Sequence, residues 1–135
     1  IERFKQSHVD DEILILRLDA QLFFANTRYF QDKLKAMESK RKNLKVVILD
    51  ARGINAMDST AVHALKDIVQ DYQKREIRFF MTNVKGPVRD IMRRSKLRAL
   101  IGEGNFFLSV QDALDFIRTN EQKDHHDISL QTNEI

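Results

Sequence analysis

The sequence predicts an α/β fold, in which helices flank a mostly parallel β-sheet, and three observations carry this prediction. Residues 44–50 and 76–82 are short apolar runs rich in β-branched and aromatic side chains, as in strands covered on both faces. Segments with helical periodicity alternate with these runs, which is typical of parallel strands joined by right-handed crossovers. The 135 residues, 42% hydrophobic and without cysteine, suit one domain with an apolar core.

The first elements of this fold are predicted from residues 1–72. Residues 13–18 form an apolar run, and Asp10 with Asp11 favours a turn that places residues 1–6 as an antiparallel edge strand. Two amphipathic helices are predicted from apolar residues spaced by three and four: Phe30, Leu34 and Met37 in the first, and Val62, Leu65, Val69 and Tyr72 in the second.

A third helix is predicted after Gly86, with Pro87 at its first position, where the missing N–H is not needed. The same periodicity divides this helix into two faces. The inner face carries Val88, Ile91, Met92 and Ser95, and the outer face carries a basic stripe of Arg89, Arg93 and Lys96. The plain interpretation of the stripe is a solvated helix face, and the functional one is a surface for anionic lipid headgroups.

The chain ends in a short strand and a last helix. Glycines interrupt the chain before residues 105–107, and Ser109 with Asp112 forms a capping pattern before the apolar periodicity of the last helix. From Glu121 onward the chain is polar and aperiodic, which predicts a disordered tail. We therefore expect one domain over residues 1–120, with about five strands and four to five helices, and a tail over residues 121–135.

Composition excludes several classes of protein. Without cysteine the chain has no disulfide, no thiol nucleophile and no thiolate zinc site. The longest apolar stretch, residues 13–24, contains Arg17 and Asp19 and is too short to span a bilayer. The chain begins without Met and without a leader pattern, so we expect a piece of a longer protein. Its net charge is +3, and because the tail carries −3, residues 1–120 carry +6.

The loop after the central strand is the candidate site, because ligands of parallel sheets bind beyond the carboxyl ends of the strands. Asp58 is placed to cap the following helix, and Ser59 and Thr60 lie in its first turn. The helix dipole favours an anion there, including a phosphate on Ser59. The alternative is that Asp58 and Ser59 only cap the helix, a contribution of about 1 kcal/mol.

Three segments carry a resemblance to a known family. Residues 46–62, VVILDARGINAMDSTAV, resemble the signature of STAS domains, which occur in anti-sigma-factor antagonists and in the cytoplasmic tails of SulP-type anion transporters. Residues 22–30, LFFANTRYF, and residues 101–107, IGEGNFF, resemble segments of the SulP tails in particular. The matches extend over about residues 13–118, so the resemblance implies the STAS fold.

The resemblance also implies a function. It is that of a non-catalytic regulatory and protein-interaction domain of a SulP-type secondary transporter of sulfate-like anions, on the cytoplasmic side of the inner membrane. Its implied partners are the transmembrane domain of the parent transporter, a cytosolic regulatory protein, a weakly bound nucleotide, and a second copy through the parent transporter. The implied contact loop contains Asp50, Asn55, Asp58, Ser59 and Thr60.

A free-standing phospho-switch is the alternative function. In the antagonists that the chain resembles, a partner kinase phosphorylates the serine that follows the aspartate, which corresponds to Ser59. A phospho-aspartate receiver is a further alternative, since Asp50, Thr82 and Lys85 occupy suitable strand ends. That class also needs paired acidic residues to hold Mg²⁺, and only Asp19 is available after the first apolar strand.

We expect no catalytic residue, metal, cofactor or nucleic acid. His63 is expected to be a surface or packing residue of its helix, because no serine and carboxylate stand at a suitable spacing. His125 and His126 lie in the predicted tail without a third ligand at helical spacing. The phenylalanines fall in or beside strands, which favours core packing over base stacking.

Overall fold

A computed structural model describes residues 5–17 and 27–124 of the chain. It places five strands in these residues: β1 (Lys5–Asp10), β2 (Ile13–Arg17), β3 (Val46–Asp50), β4 (Arg78–Thr82) and β5 (Phe106–Phe107). The helices are α1 (Thr27–Ser39), α2 (Ser59–Lys74), α3 (Gly86–Arg94), α4 (Leu97–Ile101) and α5 (Val110–Asp124), with a 3-10 turn at Glu103–Asn105.

The five strands form one sheet in the order β1-β2-β3-β4-β5. β1 is antiparallel to β2, and the other pairs are parallel. The predicted antiparallel edge strand is therefore confirmed at Lys5–Asp10, and it continues past its predicted end at residue 6. A tight turn at Asp11 and Glu12 leaves Asp10 paired with Ile13, so the strand continues up to the turn. Residues 1–4 lie outside the described part.

The core lies on both faces of the sheet, as the apolar strands predict. Successive parallel strands are neighbours, and their connections place α1 to α4 on one face of the sheet, while α5 covers the other. The face under α1 to α4 buries alternate strand residues such as Leu14, Leu49 and Met81. The opposite face buries Ile48 and Phe80, with residues of β2 and α5. Helix coverage of both faces explains why all five residues of β3 are buried.

The structure corrects the prediction for the segment after α3. Sequence periodicity carries one helix through Lys96, whereas α3 ends at Arg94 and Lys96 has left-handed backbone angles, with φ 73°. A separate short helix, α4, then buries Leu97 and Ile101 against the core. The spacing of Leu97 and Ile101 is the sequence signal for this helix, but five residues are too few for periodicity to predict it.

The last helix is longer than predicted. α5 runs to Asp124, four residues past the predicted domain boundary at residue 120. No glycine or proline occurs among residues 121–124, and Glu, Gln and Lys are good helix formers, so the helix continues where apolar periodicity has stopped. The helix thus extends into the segment predicted as a tail, and the boundary at residue 120 stays a prediction. Residues 125–135, with His125 and His126, lie outside the described part.

A buried hydrogen-bond network joins α1 to α2. Tyr72 is 1% exposed, and its hydroxyl donates to Glu38 Oε2 at 2.5 Å. Arg75 Nη2 donates to Glu38 Oε1 at 2.9 Å and also pairs with Asp71. Burial, and then the hydrogen bond to Glu38, raise the pKa of Tyr72 above its usual value. The folded state therefore holds the Tyr72 proton more tightly than the unfolded state does.

The variant Tyr72→Phe tests this network. We expect it to lower the free energy of unfolding by about 1–3 kcal/mol at neutral pH, because Glu38 loses a buried donor. The raised pKa of folded Tyr72 also predicts that the wild type loses stability as pH rises above about 10, the ordinary tyrosine pKa, because only the unfolded state then releases the proton.

Denaturant unfolding at neutral pH and above pH 10 measures both effects. The stability difference between wild type and Tyr72→Phe should shrink as pH rises, by about 1.4 kcal/mol per pH unit. A difference that stays constant with pH would contradict the role given to the Tyr72 proton.

Candidate functional site

The loop that leaves β3 begins at a buried carboxylate. Asp50 is 3% exposed, and its Oδ1 accepts hydrogen bonds from the backbone N–H of Arg52 and from Asn83 Nδ2, each at 3.0 Å. Its Oδ2 lies 3.3 Å from Arg52 Nη2 and 3.7 Å from Arg17 Nε. Asp50 therefore joins the carboxyl ends of β2, β3 and β4 and fixes the first turn of the loop.

Further contacts fix the course of the loop to α2. The Ala51 N–H donates to Thr82 O at 2.9 Å, which extends the β3–β4 pairing by one residue. Ile54 is fully buried beneath the loop. At the exposed side, Lys85 Nζ donates to Asn55 Oδ1 at 2.6 Å and so connects the loop to the start of α3. The exposed residues of the loop therefore lie over buried, well-packed residues.

The loop ends at the N-terminus of α2, where Asp58 is the N-cap. Its Oδ1 accepts from the Ala61 N–H at 2.8 Å, and its backbone oxygen accepts from the Val62 N–H at 3.0 Å. The predicted cap is confirmed for Asp58. Ser59 and Thr60 are exposed in the first turn, and Asp58, not Ser59, is the cap, so the hydroxyl of Ser59 is not needed for capping.

A shallow groove of about 390 Å³ lies between the start of α2 and the end of α3. Its floor is apolar, with Met57, Val62 and Ile91, and its polar wall contains Asp58, Ser59, His63, Lys66, Arg94 and Ser95. His63 is exposed on α2, so of the two expected positions, surface or packing, it occupies the surface one. The groove offers cationic and hydroxyl groups beside an apolar strip, which suits binding of another surface.

The receiver alternative does not fit this geometry. Thr82 is fully buried, and the Asp50 side chain is 5% exposed with its two oxygens engaged by neighbours. Lys85 donates to Asn55 and not to Asp50. A phosphoryl donor therefore has no open path to the carboxylate. Asp19, the remaining acidic candidate, lies outside the described part.

The predicted basic stripe is divided by the structure. Arg89 and Arg93 are exposed on α3, whereas exposed Lys96 lies beyond the end of that helix. Arg93 pairs with Asp90 at 3.1 Å, and Arg89 Nη2 donates to Val84 O at 3.1 Å. The stripe is therefore not one continuous helix face.

Sequence reasoning missed the partners of Asp50. Arg17 ends β2 and Asn83 follows β4, so they meet Asp50 only because parallel strand ends share one edge of the sheet. Asn83 has left-handed backbone angles, with φ 59°, a conformation that asparagine tolerates better than most residues. The sequence signal for Asn83 is that it is a polar residue directly after an apolar strand.

The described residues show neither a cluster of metal-binding side chains nor a helix suited to a bilayer. Among residues 5–17 and 27–124, no group of three or more His, Cys, Asp or Glu side chains is placed to hold a metal ion. Within the same ranges, no helix combines the length and the apolar character that crossing a bilayer requires.

The comparisons with known proteins assign the family. The STAS domain family matches residues 5–113, and this chain belongs to it. Sulfate transporter 4.1 of Arabidopsis thaliana, a chloroplastic protein, is 30% identical over 140 residues, which cover 93% of this chain and 20% of that protein. The chain thus spans about one fifth of the length of this curated relative.

Two solved structures share the fold. The STAS domain of a SulP transporter from Vibrio cholerae has a TM-score of 0.72 and 23% identity, covering 87% of this chain and 89% of that one. The anti-sigma factor antagonist SpoIIAA in its unphosphorylated form has a TM-score of 0.62 and 17% identity, covering 86% and 96%. The predicted STAS fold is therefore confirmed, and this fold occurs both in a transporter domain and in an anti-sigma factor antagonist.

The variant Asp58→Ala tests which side chain caps α2. We expect a loss of about 1 kcal/mol in the free energy of unfolding, because the Ala61 N–H loses its acceptor. Ser59→Ala is the matched control and should change stability by less than about 0.5 kcal/mol. Denaturant midpoints of the two variants measure these changes in stability. An equal loss of stability in both variants would contradict the assignment of capping to Asp58 and not to the Ser59 hydroxyl.

Proposed function

We propose that this chain is the regulatory and protein-interaction domain of a SulP-type secondary transporter of sulfate-like anions. The carrying observation is that the chain is similar over 93% of its length to one fifth of a sulfate transporter. Transport itself then belongs to the rest of the parent protein. In this proposal the chain lies on the cytoplasmic side of the inner membrane and performs no catalysis.

The loop geometry supports a contact role for Asn55, Asp58, Ser59 and Thr60, with Asp50 as their anchor. These four residues are exposed, while Asp50, Ile54 and Met57 are buried beneath them. An exposed edge on a rigid base loses little conformational entropy when a partner binds. The neighbouring groove adds an apolar strip, with Lys66 and Arg94 at its side, for a partner with acidic groups.

Three partners follow from this proposal. The first is the transmembrane domain of the parent transporter, through which two copies of this domain also meet as a homodimer. The second is a cytosolic regulatory protein that contacts the loop. The third is a nucleotide, bound weakly, whose phosphates would meet the cations Lys66 and Arg94 of the groove.

The variant Ser59→Glu in the parent protein tests the contact role. The added negative charge at an exposed contact position should lower sulfate uptake several-fold, because it repels a partner whose acidic groups would meet Lys66 and Arg94. Uptake is measured in cells that lack their own sulfate transport, with surface expression of the protein quantified in parallel.

Lys74→Gln is the control, since Lys74 is exposed at the other end of α2 and its loss should leave uptake unchanged. Normal uptake by Ser59→Glu at normal expression would contradict the contact role of the loop. Absence of sulfate-type uptake by the wild-type parent protein would contradict the transporter assignment itself.

A second candidate function is a free-standing phospho-switch of the antagonist type, with Ser59 as phosphoacceptor. The observation that favours it is the exposed Ser59 beside a groove that contains Lys66 and Arg94. A phosphate there would carry about −1.5 to −2 charges next to those cations and to the helix N-terminus. Mass spectrometry of the protein from its own host then finds phosphate on Ser59, and its absence under all growth conditions contradicts the switch.

A further inference from the structure

A second cavity lies at the opposite side of α3 from the groove. It has a volume of about 220 Å³ and opens beside the carboxyl ends of β4 and β5. Two guanidinium groups, of Arg89 and Arg98, line it together with Asn83, Phe106 and Leu108. No carboxylate lines this cavity among the residues that the structure describes, so the charged groups of its lining are the two guanidinium groups.

Arg98 is held in place before any ligand arrives. Its guanidinium Cζ lies 4.2 Å from the centre of the Phe106 ring, and its Nε donates to Glu103 Oε1 at 2.8 Å. The Arg98 side chain is 18% exposed, and its Nη1 is buried without a hydrogen-bond acceptor in the described part of the chain. A guanidinium that is already fixed and partly desolvated loses little entropy or hydration when it binds an oxyanion.

The surroundings of the cavity add further positive charge. The stretch from Lys85 to Arg98 contains six cations and one carboxylate, Asp90. Asp90 pairs with Arg93 and Glu103 pairs with Arg98, so neither carboxylate neutralises Arg89. Exposed cations in this number attract an anionic surface over about a Debye length.

The rim of the cavity carries an exposed leucine. Leu108 follows β5 directly and is 80% exposed, the largest exposed fraction among the large apolar side chains that the structure describes. A soluble anion as the ligand of this cavity would account for the two arginines but not for the exposed leucine beside them. An anionic bilayer accounts for both, because headgroup phosphates meet the guanidinium groups while the leucine enters the acyl boundary.

We propose that this cavity binds the phosphate headgroup of an anionic phospholipid, with Leu108 inserted into the bilayer beside it. Arg89 and Arg98 hold the headgroup, and the bilayer removes Leu108 from water. The proposal deepens the proposed function, because a domain joined to a transporter lies beside a bilayer. It replaces the predicted stripe of Arg89, Arg93 and Lys96 with a cluster in which Arg89 alone is retained.

Co-sedimentation of the 135-residue chain with vesicles tests the proposal. Phosphatidylcholine vesicles with phosphatidylserine should bind the chain, and pure phosphatidylcholine vesicles should bind it much more weakly. Added salt should weaken the binding. Arg89→Gln and Arg98→Gln should each reduce affinity about fivefold, and Leu108→Ser about tenfold.

Lys74→Gln is the charge-matched control, because it removes one exposed cation on α2, which does not line the cavity, and its affinity should equal that of the wild type. Arg98→Gln also removes packing on Phe106, so thermal unfolding must show that it stays folded. If Arg98→Gln does not stay folded, Leu108→Ser still tests the proposal, because Leu108 is 80% exposed and contributes little to the fold.

Three results would overturn the proposal. The first is equal binding to neutral and anionic vesicles, and the second is an equal loss of affinity in Lys74→Gln and Arg89→Gln. The third is unchanged vesicle binding by Leu108→Ser together with calorimetric binding of inorganic phosphate that requires Arg98, which would assign the cavity to a free anion. Because these measurements use the chain alone, their failure leaves the transporter assignment to be judged separately by sulfate uptake.

Discussion

The buried carboxylate of Asp50 is the interaction on which the rest of the site depends. A buried carboxyl group without partners would cost several kcal/mol, and at 3% exposure the neighbours of Asp50 compensate this cost. Two N–H donors, from the Arg52 backbone and Asn83, and two guanidinium groups do so. The partners come from β2, from the loop and from the residue after β4, so one side chain connects three strand ends.

The position of the candidate contact surface follows from this anchor. Since Arg52 is drawn back to Asp50, the loop turns over the sheet edge, buries Ile54 and Met57, and delivers Asp58 to the start of α2 as its cap. The residues that hold the loop in place are therefore different from the exposed residues that a partner could contact. Ser59 and Thr60 remain exposed at the end of a fixed loop, where a partner can reach them.

Much of the fold could be predicted from the sequence, because it rests on local patterns. The buried run of β3, the periodicity of α2 and the Pro87 start of α3 each follow from side chains that are neighbours in the chain. The partners of Asp50 could not be predicted, since Arg17 and Asn83 are more than thirty residues away in sequence. The Arg98 cavity depends in the same way on Phe106 of another element, and short α4 gives too few residues for a periodic pattern.

Amide hydrogen exchange of the variant Asp50→Asn tests the anchor most directly. This variant keeps the size of the side chain but removes its charge. The backbone N–H groups of Arg52 and Ile54 should therefore exchange roughly tenfold faster than in the wild type. A tenfold change corresponds to a decrease of about 1.4 kcal/mol in the free energy of local opening. The amides of β3 and β4 should keep their protection. Unchanged exchange in the loop, or an equal increase throughout the domain, would contradict the account of Asp50 as the local anchor of this site.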